Sequence, residues 1–183
     1  MLRIELVKKI GGFETGQFSR RARFDRRKAE PCCGGGRPLR EGKAPGRTGG
    51  VRSLGFALLT AALIEKGKHP EAMTLIGEAL QGVEVTGEGW WNPELHRRRG
   101  LVLLAQNKLA EGEASIRQAL ELARKLQAKS WELRAATSLA RLWGEQRKRA
   151  EARDLLAPVY GWFTEGFGTP DLKEAKALLD ELG

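Results

Sequence analysis

Cysteine is nearly absent from this chain of 183 residues: there are two, Cys32 and Cys33, and they are neighbours. Adjacent cysteines rarely pair with each other, and without a C-x-x-C spacing they make no zinc half-site. Both read as free thiols of a reducing compartment. Histidine is equally scarce. His69 and His96 stand apart, with no second His, Cys or paired carboxylate at ligand spacing, so neither a metal nor a cofactor is expected. His96, close to Glu94, reads as part of an exposed helix turn. No nucleophile sits beside a base, and no catalytic residue is expected. Apolar runs of 18 or more residues are missing, which excludes a membrane-spanning helix from the reading. Ser19-Arg20-Arg21 lacks the apolar stretch of a twin-arginine export signal; Asp25, Arg26, Arg27 and Lys28 follow instead. A cytoplasmic protein is the expectation.

A phosphate-binding loop is also missing, although one stretch approaches it. Gly36-Arg-Pro-Leu-Arg-Glu-Gly42-Lys43-Ala44 has one residue too many between its glycines. Ala44 stands where a Ser or Thr hydroxyl must hold magnesium, and neither a strand before nor a helix after is indicated. No ATP site is expected there.

What is present divides sharply. The formal charge of +9 belongs almost wholly to residues 1–50, which hold 13 Lys and Arg against 5 Asp and Glu. Residues 51–183 hold 19 against 18 and are nearly neutral, which argues against a nucleic-acid-binding fold in the body of the chain. The first 50 residues also contain ten glycines and three prolines. So little apolar surface does not offset the entropy of ordering, and disorder is the default reading. Two alternatives stand beside it: an extension from a misassigned start or frameshift, and a basic arm that grips phosphates. The arm needs only Lys and Arg on a flexible chain, but Phe13, Phe18 and Phe24 are its only aromatics for base stacking.

From about Val51 the apolar period becomes helical, and one template recurs at a fixed spacing of roughly 40 residues. Leu59, Gly67, Ala72, Ile76 and Ala79 set it; Gly100, Leu103, Gly112, Ile116 and Ala119 repeat it; Leu139, Ala140, Trp143, Ala152, Leu156 and Val159 repeat it again. Small residues fall where two helices of one hairpin touch, since helix axes 8–10 Å apart leave no room for Leu at the crossing. A period of this length marks a stacked helical array. The expected fold is all-α, an α-solenoid of about three hairpins plus a capping helix, over residues 51–183.

The spacing predicts helices over Leu54–Lys66 and Pro70–Val83, joined at Gly67, and a helix from Asn92-Pro93-Glu94 to about Gln106 with Asn92 as its cap. Further helices are expected over Ala110–Leu126, Ser130–Glu145 with Ser130 as cap, and Ala150–Phe163, kinked at Pro158. Thr169-Pro170-Asp171 opens a last helix to Leu182 that covers the open end. Trp143, Tyr160, Trp162 and Phe163 read as core between this helix and the last hairpin, with the lining of a ligand pocket as the alternative. Trp90-Trp91 reads as a packing staple at the start of its helix.

The placement resembles the tetratricopeptide repeat. The blocks from Gln127 to Trp143, Leu155 to Phe167 and Thr169 to Leu179, with Trp91 and Glu94-Leu-His-Arg97, are similar to the C-terminal region of large bacterial signalling proteins. In those proteins a nucleotide cyclase-like or DNA-binding domain precedes an AAA-type ATPase module and a tetratricopeptide tail. The resemblance implies the tail alone, without ATPase or cyclase activity, and admits a truncated remnant of a larger gene. Arg98 departs from the pattern, standing where an apolar residue is usual.

The function expected from these residues is protein–protein interaction without catalysis. The first helix of each hairpin would line a groove, and Arg97, Arg134 and Arg141 are its candidate partner-binding residues. Bidentate hydrogen bonds from such side chains suit acidic groups or a chain-terminal carboxylate of a protein or peptide. The bland alternative is a solvated surface. The second functional reading is nucleic-acid association through the basic segment 1–50.

Overall fold

The computed structural model describes residues 59–87 and 89–183. Residues 1–50, with Cys32, Cys33 and the Gly36–Ala44 stretch, lie outside the described residues, as does the expected start of the first helix at Leu54.

Among the described residues the chain is all-helical, with seven α-helices and no strand. They are α1 (59–65), α2 (His69–Thr86), α3 (Asn92–Ala105), α4 (Leu109–Lys125), α5 (Lys129–Glu145), α6 (Arg149–Gly161) and α7 (Pro170–Leu182). A 3-10 turn, Gly89–Trp91, leads into α3. Each helix from α2 onward packs on its sequence neighbours, and α5 also packs on both α3 and α7. One core runs through α3 to α7, centred on Ile116, Leu133, Leu139 and Leu156; a smaller one joins Ile64, Ala72, Ile76 and Val102.

The helices end where they do because of one recurring loop. Lys68, Lys108, Ala128 and Lys148 each donate their backbone N–H to the carbonyl five residues earlier, at 2.9 Å. This is the Schellman closure, which needs a left-handed residue just before the donor. Gly67, Asn107, Gln127 and Arg147 supply it, with φ of 71°, 65°, 51° and 63°. The same four donors pass their own carbonyls to the N–H of Ala72, Gly112, Glu132 and Ala152, starting the next helix. One residue therefore closes one helix and opens another, so no side-chain cap is required. Ser130 is accordingly the second residue of α5 rather than its cap, and Asn92 is the first residue of α3, preceded by Trp91 in helical geometry. Gly87 (φ 72°) continues the series at the end of α2, which runs three residues past the expected Val83.

Left-handed residues thus stand at positions 67, 87, 107, 127 and 147, evenly spaced, and Gly166 (φ 79°) follows them one residue out of step. Only glycine adopts this geometry without strain. An alanine Cβ at Gly67 would touch nothing within 4 Å, so Gly67→Ala isolates the backbone penalty. Its unfolding free energy is expected to fall by about 1 kcal/mol in a denaturant titration.

The expected small-residue crossings hold. Ala72, Gly112 and Ala152 are buried, as are Ala79, Ala119 and Val159. The closest approach is in the α3–α4 pair, where Gly100 and Gly112 face each other backbone to backbone. A Cβ on Gly100 would lie 2.5 Å from Ile116 Cγ1 and 2.8 Å from the Gly112 carbonyl.

On α7 the small-residue pattern is not kept. Lys176 and Asp180 stand one full repeat after the buried Ala136 and Ala140, but they are exposed and paired with each other at 2.8 Å. This face of α7 is therefore charged rather than small and apolar. Helix α6 runs through the exposed Pro158 and stops at Gly161, two residues short of the expected Phe163.

Candidate functional site

The three arginines singled out in the sequence come together along the faces of α3, α5 and α7. At their centre is a residue that sequence reasoning passed over. Glu94, in the first turn of α3, is 1% exposed. Its carboxylate accepts two hydrogen bonds from Arg97, each 2.8 Å, and one from Arg98 Nε, also 2.8 Å. Arg134 Nη1 approaches it to 3.6 Å from α5. His96, beside it, is buried too, so the exposed helix turn expected here is instead core.

The sequence explains the convergence. Residues three and four positions after Glu94 share its helix face, so Arg97 and Arg98 both reach it while Arg99 points to solvent. Glu94 and Arg134 are separated by one full repeat and so hold the same place on successive first helices. Glu174, one repeat further on, continues the series on α7. Charge alternates down the register: acid, arginine, acid.

The row extends on both sides of this register. Arg97 Nη1 donates to Ser138 Oγ at 3.2 Å, Arg134 Nε to Asp171 at 2.9 Å, and Arg141 Nη2 to Glu174 at 2.7 Å. Arg97, Arg134 and Arg141 are thus half-buried and engaged within the chain. Arg98, at the apolar position of the pattern, is buried because Glu94 neutralises it.

These surroundings set the titration of the carboxylates. Burial alone would push Glu94 up, but Arg97, Arg98 and Arg134 hold it far below the ordinary carboxylate range. For Glu174 burial wins despite Arg141 and Arg97, and its carboxyl titrates above the ordinary value. Burial, assisted by Arg99, lowers His96 and favours its neutral form.

Aromatic side chains flank the row. Trp90 packs tilted against Trp91, 4.5 Å between ring centroids, and Trp91 against Trp131 at 5.0 Å; Arg134 lies 5.3 Å from the Trp131 ring. Trp91 and Trp131 again differ by one repeat, so this pair ties consecutive first helices as the charges do. Trp143 is half-buried; its indole donates to Glu113 at 3.0 Å and Arg117 covers its ring at 4.9 Å. Tyr160 and Phe163 pack against the core as expected, but Trp162 does not: it is 57% exposed. The expectation placed it inside by helical spacing, yet α6 ends at Gly161, and residues beyond a helix end no longer follow its period.

Trp162 instead walls a cleft of about 640 Å³ lined by Arg124, Gln127, Lys129, Ser130, Glu132 and Phe163. Glu132 is buried and accepts from Arg124 Nε at 3.1 Å and Lys129 Nζ at 2.7 Å.

Among the described residues no group of three His, Cys, Asp or Glu side chains is placed to hold a metal ion, and no helix is long and apolar enough to cross a membrane. No protein-family model matches the chain, and neither a curated protein nor a solved structure is significantly similar to it.

Proposed function

We propose that the chain is a non-catalytic protein–protein interaction module of the tetratricopeptide type, an α-solenoid acting in the cytoplasm. The observation that carries this reading is the return of one helix–loop unit at even intervals, marked by the left-handed residues from Gly67 to Arg147. Repeats whose helices contact only near neighbours present a long continuous face to a partner. Helices α3, α5 and α7 supply that face, and Arg97, Arg134 and Arg141 supply its charged stripe. Carboxylates of a protein or peptide partner would compete there with Asp171 and Glu174 for the guanidinium groups. A role in signalling is proposed only on the resemblance of the residue blocks from Gln127 onward to bacterial ATPase- and cyclase-linked tails.

The charge partition favours one second reading, in which residues 1–50 bind the phosphates of nucleic acid. Affinity capture with the full chain and with residues 51–183 separates the two. The interaction reading expects the same protein partner on both, held less well by the Arg141→Glu variant. Capture of nucleic acid alone, lost with residues 1–50 and steeply weakened by salt, supports the second. Turnover of ATP or GTP by the purified chain contradicts both.

A further inference from the structure

We infer that the cleft between the α4–α5 loop and the end of α6 binds a small organic anion, a carboxylate or phosphate joined to a planar ring. The site is distinct in chemistry from the arginine row and does not depend on the protein-binding role. Its floor is Glu132, whose two oxygens pin Arg124 by Nε and Lys129 by Nζ. That arrangement fixes Arg124 by its inner nitrogen only. Its two terminal nitrogens have no acceptor among the described residues, and the side chain is 51% exposed. A guanidinium held this way turns its two outer nitrogens outward as a pair of parallel donors, the geometry that a carboxylate or phosphate fills.

The net charge of the trio Arg124, Lys129 and Glu132 is positive, so an anion entering the cleft meets attraction. Ser130 and Gln127 add a hydroxyl and an amide with no side-chain partner among the described residues. The opposite wall is apolar and planar. Trp162 stands edge-on to Phe163, centroids 5.1 Å apart at 86°, with the Lys129 ammonium 5.7 Å from its ring. A large exposed indole braced edge-on by a second ring presents apolar area against which a ligand ring can pack. The cleft, about 640 Å³ and open to solvent, has room for a single ring bearing an oxyanion. An oxyanion on Arg124 and a ring on Trp162 would satisfy both walls at once.

Calorimetric titration of the full chain with phenyl phosphate, inorganic phosphate and benzyl alcohol tests this. Phenyl phosphate should bind about tenfold more tightly than either half alone. Arg124→Gln should weaken it by about tenfold, the loss of a charge-assisted hydrogen bond, and Trp162→Leu by about fivefold, the loss of a ring contact. Both residues are at least half exposed, and melting of each variant at the wild-type temperature would show the fold intact. Equal binding of phenyl phosphate and inorganic phosphate, or binding unchanged in both variants, overturns the inference. The latter pattern would place the anion on the basic residues 1–50 instead.

Discussion

The Glu94→Gln variant is expected to lose about 3–5 kcal/mol of stability, lowering the melting temperature by roughly 10–20 °C. The substitution changes almost no volume. It removes the charge that directly pairs Arg97 and Arg98 within the core and that Arg134 approaches. Breaking a buried pair from one side leaves the partner charges without compensation, which is why the cost exceeds that of a surface ion pair. The arginine side gives the complementary result. Arg98→Leu leaves Glu94 with Arg97 in a bidentate pair and Arg134 nearby, and restores the apolar residue usual at that position. It should change stability by less than about 1 kcal/mol, since apolar replacement of a buried ion is often neutral.

The same carboxylate sets the acid response. A group whose titration point is lowered in the folded state contributes stability above its ordinary value, and that stability drains away as pH falls below it. For Glu94, and for Glu113 and Glu132, the ordinary value is 4.5. Burial opposes the lowering of Glu113 and Glu132, but hydrogen bonds from Trp143 and Arg117, and from Lys129 and Arg124, override it. His96, lowered from 6.5, adds a loss that begins at higher pH. Glu174, raised by burial, acts in the opposite direction. Wild-type stability should therefore fall below pH 4.5, and Glu94→Gln should show a shallower fall. A variant melting within two or three degrees of wild type, with an unchanged acid slope, contradicts the role given to Glu94.

The second large effect is a reversal of sign for one substitution at two helical glycines. Glycine in a helix interior costs about 1 kcal/mol relative to alanine, so Gly77→Ala, where a Cβ touches nothing within 4 Å, should stabilise by up to that amount. At Gly100 the same methyl group meets the Gly112 carbonyl at 2.8 Å and Ile116 at 2.5 Å. Ile116 can turn aside only within a packed core, and the backbone carbonyl can move only if α3 and α4 separate. Overpacking of this kind costs about 1–3 kcal/mol, enough to exceed the gain in helix propensity. Chemical denaturation of the two variants should shift in opposite directions. Shifts of the same sign would mean that the two helices do not meet at these glycines.

Much of the helical framework was legible because small residues mark the contacts. The expected Ser130–Glu145 and Asp171–Leu182 each miss one residue at the start of the observed helix, and the expected Ala110–Leu126 is offset by one residue at both ends. The half-period was hidden: Asn107, Gln127 and Arg147 take the left-handed geometry that only Gly67 and Gly87 announce in their composition. A loop closed by backbone hydrogen bonds leaves little signature in side chains. The candidate site was legible as a set of arginines but not as a network. Glu94 could have been found from its spacing to Arg97, Arg98 and Arg134. An acid three or four positions from an arginine shares its helix face, and one a full repeat away shares its place in the array. Its burial could not, because an acid in the first turn of a helix usually reads as a surface residue favoured by the helix dipole. Trp162 was placed by a period that the chain abandons at Gly161.

The central claim is that successive helices nest where side chains shrink to a hydrogen or a methyl, tightest at Gly100 and Gly112. Nuclear Overhauser contacts between the α-protons of these two glycines test it most directly. A cross-peak between them is expected in the folded chain, where each glycine's carbonyl faces the other's α-carbon. Its absence, with the α-protons of both glycines exposed to solvent, would contradict the packing on which every other inference rests.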